Sequence, residues 1–233
     1  MAAYLAATSP KHEISHLSPS PLTTQFSSNV RSLSTQPSSS PGITSEPGSF
    51  DTVSCLRLPT ISPQAEIPGM VNKIARCLKP GGTLQLTLVD PLPLSGTLGP
   101  HMRSWLQNNL ITNLEKNQRC SNPRKAFPRW LADAGLRGQG SSLTTTKFYA
   151  IPTCVVNSRK CLLEESRLPI DKAYHEKLVK AEIRSHIGRL LWAEVWGPFV
   201  TASRWWWEDP VCVEECIELK TIWKYYFIES RKG

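Results

Sequence analysis

Four groups of residues have the types and spacing for chemistry. Cys212 and Cys216 stand four apart, which puts two thiols on one helix face. Two thiols do not complete a zinc set, and the chain has no Cys-x-x-Cys pair and no His beside them. They read as structural thiols, and no metal site is expected. His175 and His186 lie eleven apart, about three helical turns, so they share a face but cannot ligate one ion. They read as surface or core histidines. Trp205, Trp206 and Trp207 are consecutive, so one element cannot point all three indoles inward. At least one is expected at an interface or a cap-to-domain contact. Arg57 lies near the end of one apolar run, and Asp90 closes another. In open α/β sheets the carboxyl ends of strands border the ligand crevice. Ordinary strand-end polarity is an equally good account of both.

Positioning such residues falls to the stretch from Phe50 to Asp90. Phe50, Val53, Cys55, Leu56 and Leu58 form a near-continuous apolar run between Gly48 and Pro59, which suits a strand buried on both faces. Ser62-Pro63 carries a helix-start pattern, with Pro68 as a second candidate start. Ile67, Val71, Ile74 and Leu78 then recur at helical spacing, and Lys79-Pro80-Gly81-Gly82 is expected to stop the helix. From Thr83 to Val89, Leu84, Leu86 and Leu88 alternate with polar residues as in a strand. Two strands around a helix predict a parallel pair with a right-handed crossover.

Further along, Pro100 opens a helix lined by Met102, Leu106, Leu110 and Leu114, with Trp105 widening its core face. Asn122-Pro123 opens another that Gly135 ends, with Pro128 expected to delay its regular part. Ser141 to Ile151 is β-branched and aromatic, a strand that could return to the sheet. Cys154 to Leu168 reads as a loop. A long helix is expected from Asp171, carrying Val179, Ile183, Ile187, Leu190 and Leu191 at helical spacing. Asp209-Pro210 starts a last helix expected to reach about Glu229, with Val213, Cys216, Ile217 and Trp223 to Phe227 on its apolar face. These last two helices read as a helical cap or a dimer surface.

Three motifs in order now carry a resemblance: Phe50-Asp51 opening the first strand, LKPGG at Leu78 to Gly82, and ADAGL at Ala132 to Leu136. With the IGRLLWAEVWGPFV and RWWWEDP stretches behind them, they resemble the second half of S-adenosylmethionine-dependent methyltransferases of the type 11 kind, and fungal methyltransferase-like proteins. The resemblance runs from Gly48 to the C-terminus. It implies a partial doubly wound, Rossmann-like α/β sheet with a C-terminal helical extension. It further implies that S-adenosylmethionine, if bound, would border Cys55, Leu56 and Arg57, with Asp90 near the substrate mouth. No general base is implied, because the family does not share one. In that family a Gly-rich loop and an acidic strand end precede the Phe-Asp strand. Residues 1–49 offer neither, their glycines being Gly42 and Gly48 alone. The cofactor-binding half is therefore expected to be missing from this sequence, and the Phe50 strand to become an exposed edge in need of a partner.

Composition bounds the rest. A chain of 233 residues has room for one domain and an extension. The expected division is a Ser/Pro-rich disordered tail at 1–47, a partial α/β domain at 48–152 and a helical, Trp-rich extension at 153–233. SPSP at Ser18 to Pro21 and QPSSSPG at Gln36 to Gly42 argue for the tail, since such segments bury too little surface to offset ordering entropy. Its Ser-rich, acid-poor make-up loosely resembles a mitochondrial transit peptide, although Lys11 and Arg31 are few for one. Seven cysteines in a chain this long are no disulfide framework, and no apolar run reaches the ~18 residues of a membrane span. An intracellular protein of cytoplasm or nucleus is expected. Net charge is +8, concentrated at residues 48–150, where twelve Lys/Arg face five Asp/Glu. The cations are scattered and lack an aromatic-interleaved RNA motif, so a solvated basic face is expected rather than a nucleic-acid site.

Two functions follow from this reading. The first is a methyltransferase-like protein of doubtful activity, acting on an unknown acceptor. The second is a non-catalytic remnant whose Trp-rich helices serve homodimerisation or a protein partner.

Overall fold

The computed structural model describes residues 6–18, 28–34, 46–152 and 172–233. Asp171, the Cys154 to Leu168 loop and the QPSSSPG segment lie outside the described residues. The chain divides into two units, Met1–Glu46 and Pro47–Gly233. In the first, strands β1 (Ile14–Ser18) and β2 (Val30–Ser34) pair in parallel, with Ile14 opposite Val30 and Leu17 opposite Leu33. The described part of the expected tail thus contains a strand pair. Asn29 donates to the carbonyls of Ser9 and His12 beside it. Two strands alone are marginal in water.

The second unit holds a four-stranded sheet in the order β3-β4-β6-β5. Strand β3 is Phe50–Cys55, β4 Leu78–Val89, β5 Ser142–Tyr149 and β6 Ile222–Arg231. The fold class is α/β, with helices against the sheet. β3 and β4 are parallel, as the strand–helix–strand pattern predicts, and β6 runs antiparallel between β4 and β5. β3 forms one edge of this sheet, and only Phe50, Val53 and Cys55 in it are half-buried. Its apolar run is therefore not buried on both faces as the composition suggested.

A single helical turn, α1 (Leu58–Ile61), follows β3, and α2 (Ile67–Cys77) forms the crossover. Ile67, Met70, Val71 and Ile74 of α2 are buried on the expected face. The helix stops at Cys77, and Leu78 to Gly82 already belongs to β4. The two signature motifs meet here. Leu78 is the register partner of Phe50, and the Lys79 ammonium holds the Asp51 carboxylate at 2.8 and 2.9 Å. A Cβ on Gly82 would come within 2.9 Å of the Lys79 carbonyl and 3.1 Å of the Asp51 carbonyl, so this crossing requires a glycine.

Helices α3 (Pro100–Leu106) and α4 (Thr112–Lys116) are joined by a π-helical turn at Gln107–Ile111. Met102, Leu106, Leu110 and Leu114 are fully buried along it. Helix α5 (Pro123–Asp133) starts at its first proline and carries Pro128 inside, so that proline does not delay it. Helix α6 (Lys172–Trp196) is long, and α7 (Pro210–Glu218) is short.

The expected helix from Asp209 to Glu229 is corrected. Asp209 does cap it, accepting from Val211 and Cys212 backbone N–H at 2.9 and 3.2 Å. But the helix ends at Glu218, Lys220 turns the chain at φ +50°, and Ile222 to Arg231 is a strand. Ile-Trp-Lys-Tyr-Tyr-Phe-Ile is β-branched or aromatic at every position but Lys224, and pairing on both sides settles it as strand. The C-terminal segment is thus partly sheet rather than a purely helical extension.

The two faces of β4 serve different layers. α2 and α5 pack on β4, whose Leu84, Leu86 and Leu88 point to one side. Val89 points to the other, joining a cluster with Met102, Phe148, Trp192, Trp196, Trp206 and Trp223. Trp206 stacks on Trp223 at 4.8 Å between centroids, and Trp205 on Trp207 at 4.9 Å, with Trp192 edge-on to all three consecutive indoles. The run expected at an interface or a cap-to-domain contact is thus packed within the chain, with Trp206 buried and Trp205 and Trp207 half-buried.

α6 approaches β5 through small residues. Ser185 donates to the carbonyls of Tyr149 and Ala150 at 2.7 and 3.1 Å. A Cβ at Gly188 would lie 2.4 Å from the Phe148 ring. Gly188→Ala should therefore lower stability by about 1–3 kcal/mol through overpacking. Urea denaturation measures this, and an unchanged midpoint would show that Phe148 can move aside.

Candidate functional site

The carboxyl ends of β3 and β4 lie at one edge of the sheet, and the residues singled out by sequence sit there. Cys55 is the last residue of β3 and is half-buried. Burial pushes its thiol up to about 11, which removes it as a nucleophile near neutral pH. Leu56 packs against the tryptophan cluster. Arg57 is exposed, and its carbonyl accepts from Thr60 backbone N–H at 2.9 Å and hydroxyl at 3.0 Å, closing α1.

Asp90 follows β4 directly and is half-buried. The Tyr226 hydroxyl donates to its carboxylate at 3.2 Å. Desolvation raises the Asp90 pKa above its ordinary value, and the Tyr226 bond, Arg124 and Lys224 pull it back only in part. Tyr226 is itself pushed up to about 12, first by burial and then by the Asp90 charge. The Arg124 guanidinium sits 5.8 Å above the Tyr226 ring, a cation–π contact that closes the group.

The sheet brings the two sets to one edge but not into contact. Cys55 is the register partner of Leu86, so β4 runs four residues further before Asp90. At ~3.3 Å per residue this leaves about 13 Å along the strand direction. The chain after β4 is held by tryptophans: the Trp196 indole donates to the Val89 carbonyl at 3.2 Å and that of Trp192 to the Pro91 carbonyl at 3.1 Å. Behind it, Glu215 is buried on α7 and accepts from His101 and Met102 backbone N–H at 2.9 and 2.8 Å. It caps the N-terminus of α3 from another helix. Gly99 leaves room for it, since a Cβ there would fall 2.1 Å from the Glu215 carboxyl carbon.

Cys212 and Cys216 are both buried, and burial pushes their thiols up to about 12 and about 11. Thiolate ligation is disfavoured at such values. Among the described residues no three His, Cys, Asp or Glu side chains gather as a metal set, and no helix is long and apolar enough to cross a membrane. His186 is exposed on α6.

Sequence reasoning missed Tyr226, Arg124 and Glu215. Tyr226 was placed on a helix face, and only its strand register carries it to Asp90, diagonally from Leu88. Arg124 lay within an expected helix without a partner in view. For Glu215 the available signal was the Gly99-Pro100 helix start, which has no capping side chain of its own.

S-adenosylmethionine, the group implied by resemblance, finds a partial fit here. Cys55 at the end of β3 and Leu56 just after it offer apolar surface, and Asp90 a desolvated carboxylate. Among the described residues no glycine loop stands beside them to take the cofactor's amino acid end. Two open surface depressions, one at Leu98, Pro100, Arg103 and Gln107 and one at Asn72, Arg76, Asp133 and Lys232, involve none of these residues. What the described residues offer at this edge is apolar surface and one carboxylate, without a loop to enclose a ligand.

Asp90 gives this group a pH signature. An acid whose pKa is raised by folding adds stability below its unfolded value near 3.8 and loses it as pH rises through the folded value. Asp90→Asn keeps an acceptor for Tyr226 and removes the charge. It should raise the melting temperature at pH 7 and flatten the stability–pH curve above pH 3.8. Thermal melts across pH check this, and an unchanged curve would mean that Asp90 is well solvated.

No protein-family model matches the chain. No curated protein matches it either. Solved structures do. A phosphoethanolamine N-methyltransferase 2 from Haemonchus contortus, in complex with S-adenosylmethionine, is 14% identical with a TM-score of 0.35, over 81% of this chain and 35% of that one. A geranyl diphosphate methyltransferase in complex with the same cofactor is 13% identical with a TM-score of 0.44, over 99% and 73%. The [4+2]-cyclase SpnF is 16% identical with a TM-score of 0.43, over 99% and 71%. The chain thus spans about a third of the Haemonchus contortus protein. At these values the similarities leave this chain's chemistry to be argued from its own residues.

Proposed function

We propose that the chain is an S-adenosylmethionine-dependent methyltransferase-like protein that carries the second half of that fold. The observation that supports this is the β3–α2–β4 unit. Its Phe50-Asp51 and LKPGG motifs lock together through Lys79, Asp51 and Gly82, and its carboxyl edge gathers Cys55, Leu56, Arg57 and Asp90. In this reading the cofactor borders Cys55, Leu56 and Arg57, and Asp90 faces the acceptor. When bound, the cofactor supplies an activated methyl group, and the protein's part is chiefly to position it.

The chain's own residues hold this edge in place. Trp192 and Trp196 fix the loop after β4, and Tyr226 orients the Asp90 carboxylate. With one border and no glycine loop among the described residues, binding is expected to be weak, with a Kd on the order of 100 µM or above, where about 5.5 kcal/mol of binding energy is realised. Calorimetric titration of the folded chain with S-adenosylhomocysteine tests this. Saturable one-site binding that Leu56→Arg weakens at least tenfold is the expected result. A folded chain that gives no heat would overturn the reading and leave the non-catalytic association role.

A further inference from the structure

Helix α6 is apolar on two opposite sides. Its inner side is Leu178, Ser185, Gly188, Trp192, Val195 and Trp196, all buried. Its outer side carries Val179, Ile183, Ile187 and Leu190, which are 40%, 51%, 44% and 57% exposed. Spacings of four, four and three at 100° per residue hold these four within one narrow arc, opposite the buried side. Single exposed aliphatics are ordinary, but a row of four over twelve residues, about 16 Å of helix, is a contact stripe.

The stripe ends in acids. Glu176 lies three residues before Val179 and Glu194 four residues after Leu190, both exposed and on the same line. Their signs decide between occupants. A second copy packed antiparallel about the middle of the stripe would set Glu176 of one copy against Glu194 of the other. A parallel copy in register would set each acid against itself. An anionic membrane surface meets the same two acids unfavourably.

We propose that the outer face of α6 docks an amphipathic helix of another protein, aliphatic along one stripe and carrying Lys or Arg at both ends to meet Glu176 and Glu194. This surface does not depend on cofactor binding at the sheet edge, and the two readings fail separately. Lys180, which pairs with Glu176 at 3.8 Å in the free helix, lies beside the stripe and is free to turn away.

The probes are two synthetic helical peptides with the same Leu/Ile stripe, one with Lys at both ends and one with Glu. Fluorescence anisotropy on the full chain should show the Lys-ended peptide binding at least tenfold more tightly. Ile183→Glu with Ile187→Glu should abolish that binding at unchanged thermal stability, since both sites are exposed. Glu176→Lys with Glu194→Lys should invert the preference between peptides. Equal affinity for both peptides, or none, overturns the proposal. So does concentration-dependent dimerisation by light scattering that Ile183→Glu removes, and so does co-sedimentation with phosphatidylserine vesicles.

Discussion

The last strand of the chain holds the second unit together. β6 pairs with β4 over seven residues, from Tyr225 to Arg231, and with β5 over eight, from Ile222 to Glu229. Without it β5 has no strand neighbour, and β3 and β4 are left as a two-stranded parallel ribbon. A strand so placed satisfies its backbone groups on both sides and buries side chains on both faces. Trp223 enters the tryptophan cluster while Tyr226 and Ile228 enter the opposite layer. The structure thus depends on a segment near its C-terminus that closes contacts across more than 130 residues of sequence, as the Tyr226–Asp90 bond does. Ordering such distant contacts costs loop-closure entropy before the pairing offsets it.

The most recognisable residues lie at the other end of the strands from the candidate site. Phe50-Asp51 and LKPGG meet at the amino ends of β3 and β4. The ion pair between Asp51 and Lys79 is exposed on both partners and contributes no more than about 1 kcal/mol. Gly82 matters more, because two carbonyls crowd the place where its Cβ would stand. These motifs describe how a crossover helix returns to a parallel strand. They say nothing of what is bound at the carboxyl ends, where Cys55, Arg57 and Asp90 are placed by the length of the strands alone.

Local signals were legible where they were repeated. The periodic faces of α2 and of Pro100 to Lys116, the return strand at β5 and the Asp209 cap could all be read from spacing and residue type. The residues after Glu218 could not. Ile217 and Trp223 to Phe227 continue an apolar density that fits a helix or a central strand equally well, and pairing with β4 and β5 decides between them. A strand buried on both faces has no alternation to reveal it. The same ambiguity hid Tyr226 from Asp90, so that half of the candidate site was not visible in the sequence. On α6 the spacing of Val179, Ile183, Ile187 and Leu190 did indicate a helix, yet the side it buries is the other one. There the close approach of Gly188 to Phe148 and the two carbonyl contacts of Ser185 decide the orientation, because only small residues permit them.

The tryptophans then set what the sheet edge can do. Val89, the last paired residue of β4, and Pro91 beyond it carry carbonyls in a setting too buried for ready hydration. An unpaired buried carbonyl costs about 1–3 kcal/mol. Trp196 and Trp192 supply the donors from α6 and fill the adjoining volume with the same side chains. Phenylalanine would fill the space and leave the carbonyls unmet, so the indole nitrogen is the reason for the residue type. The loop carrying Asp90 is thereby fixed at two carbonyls from α6 and at its carboxylate from β6.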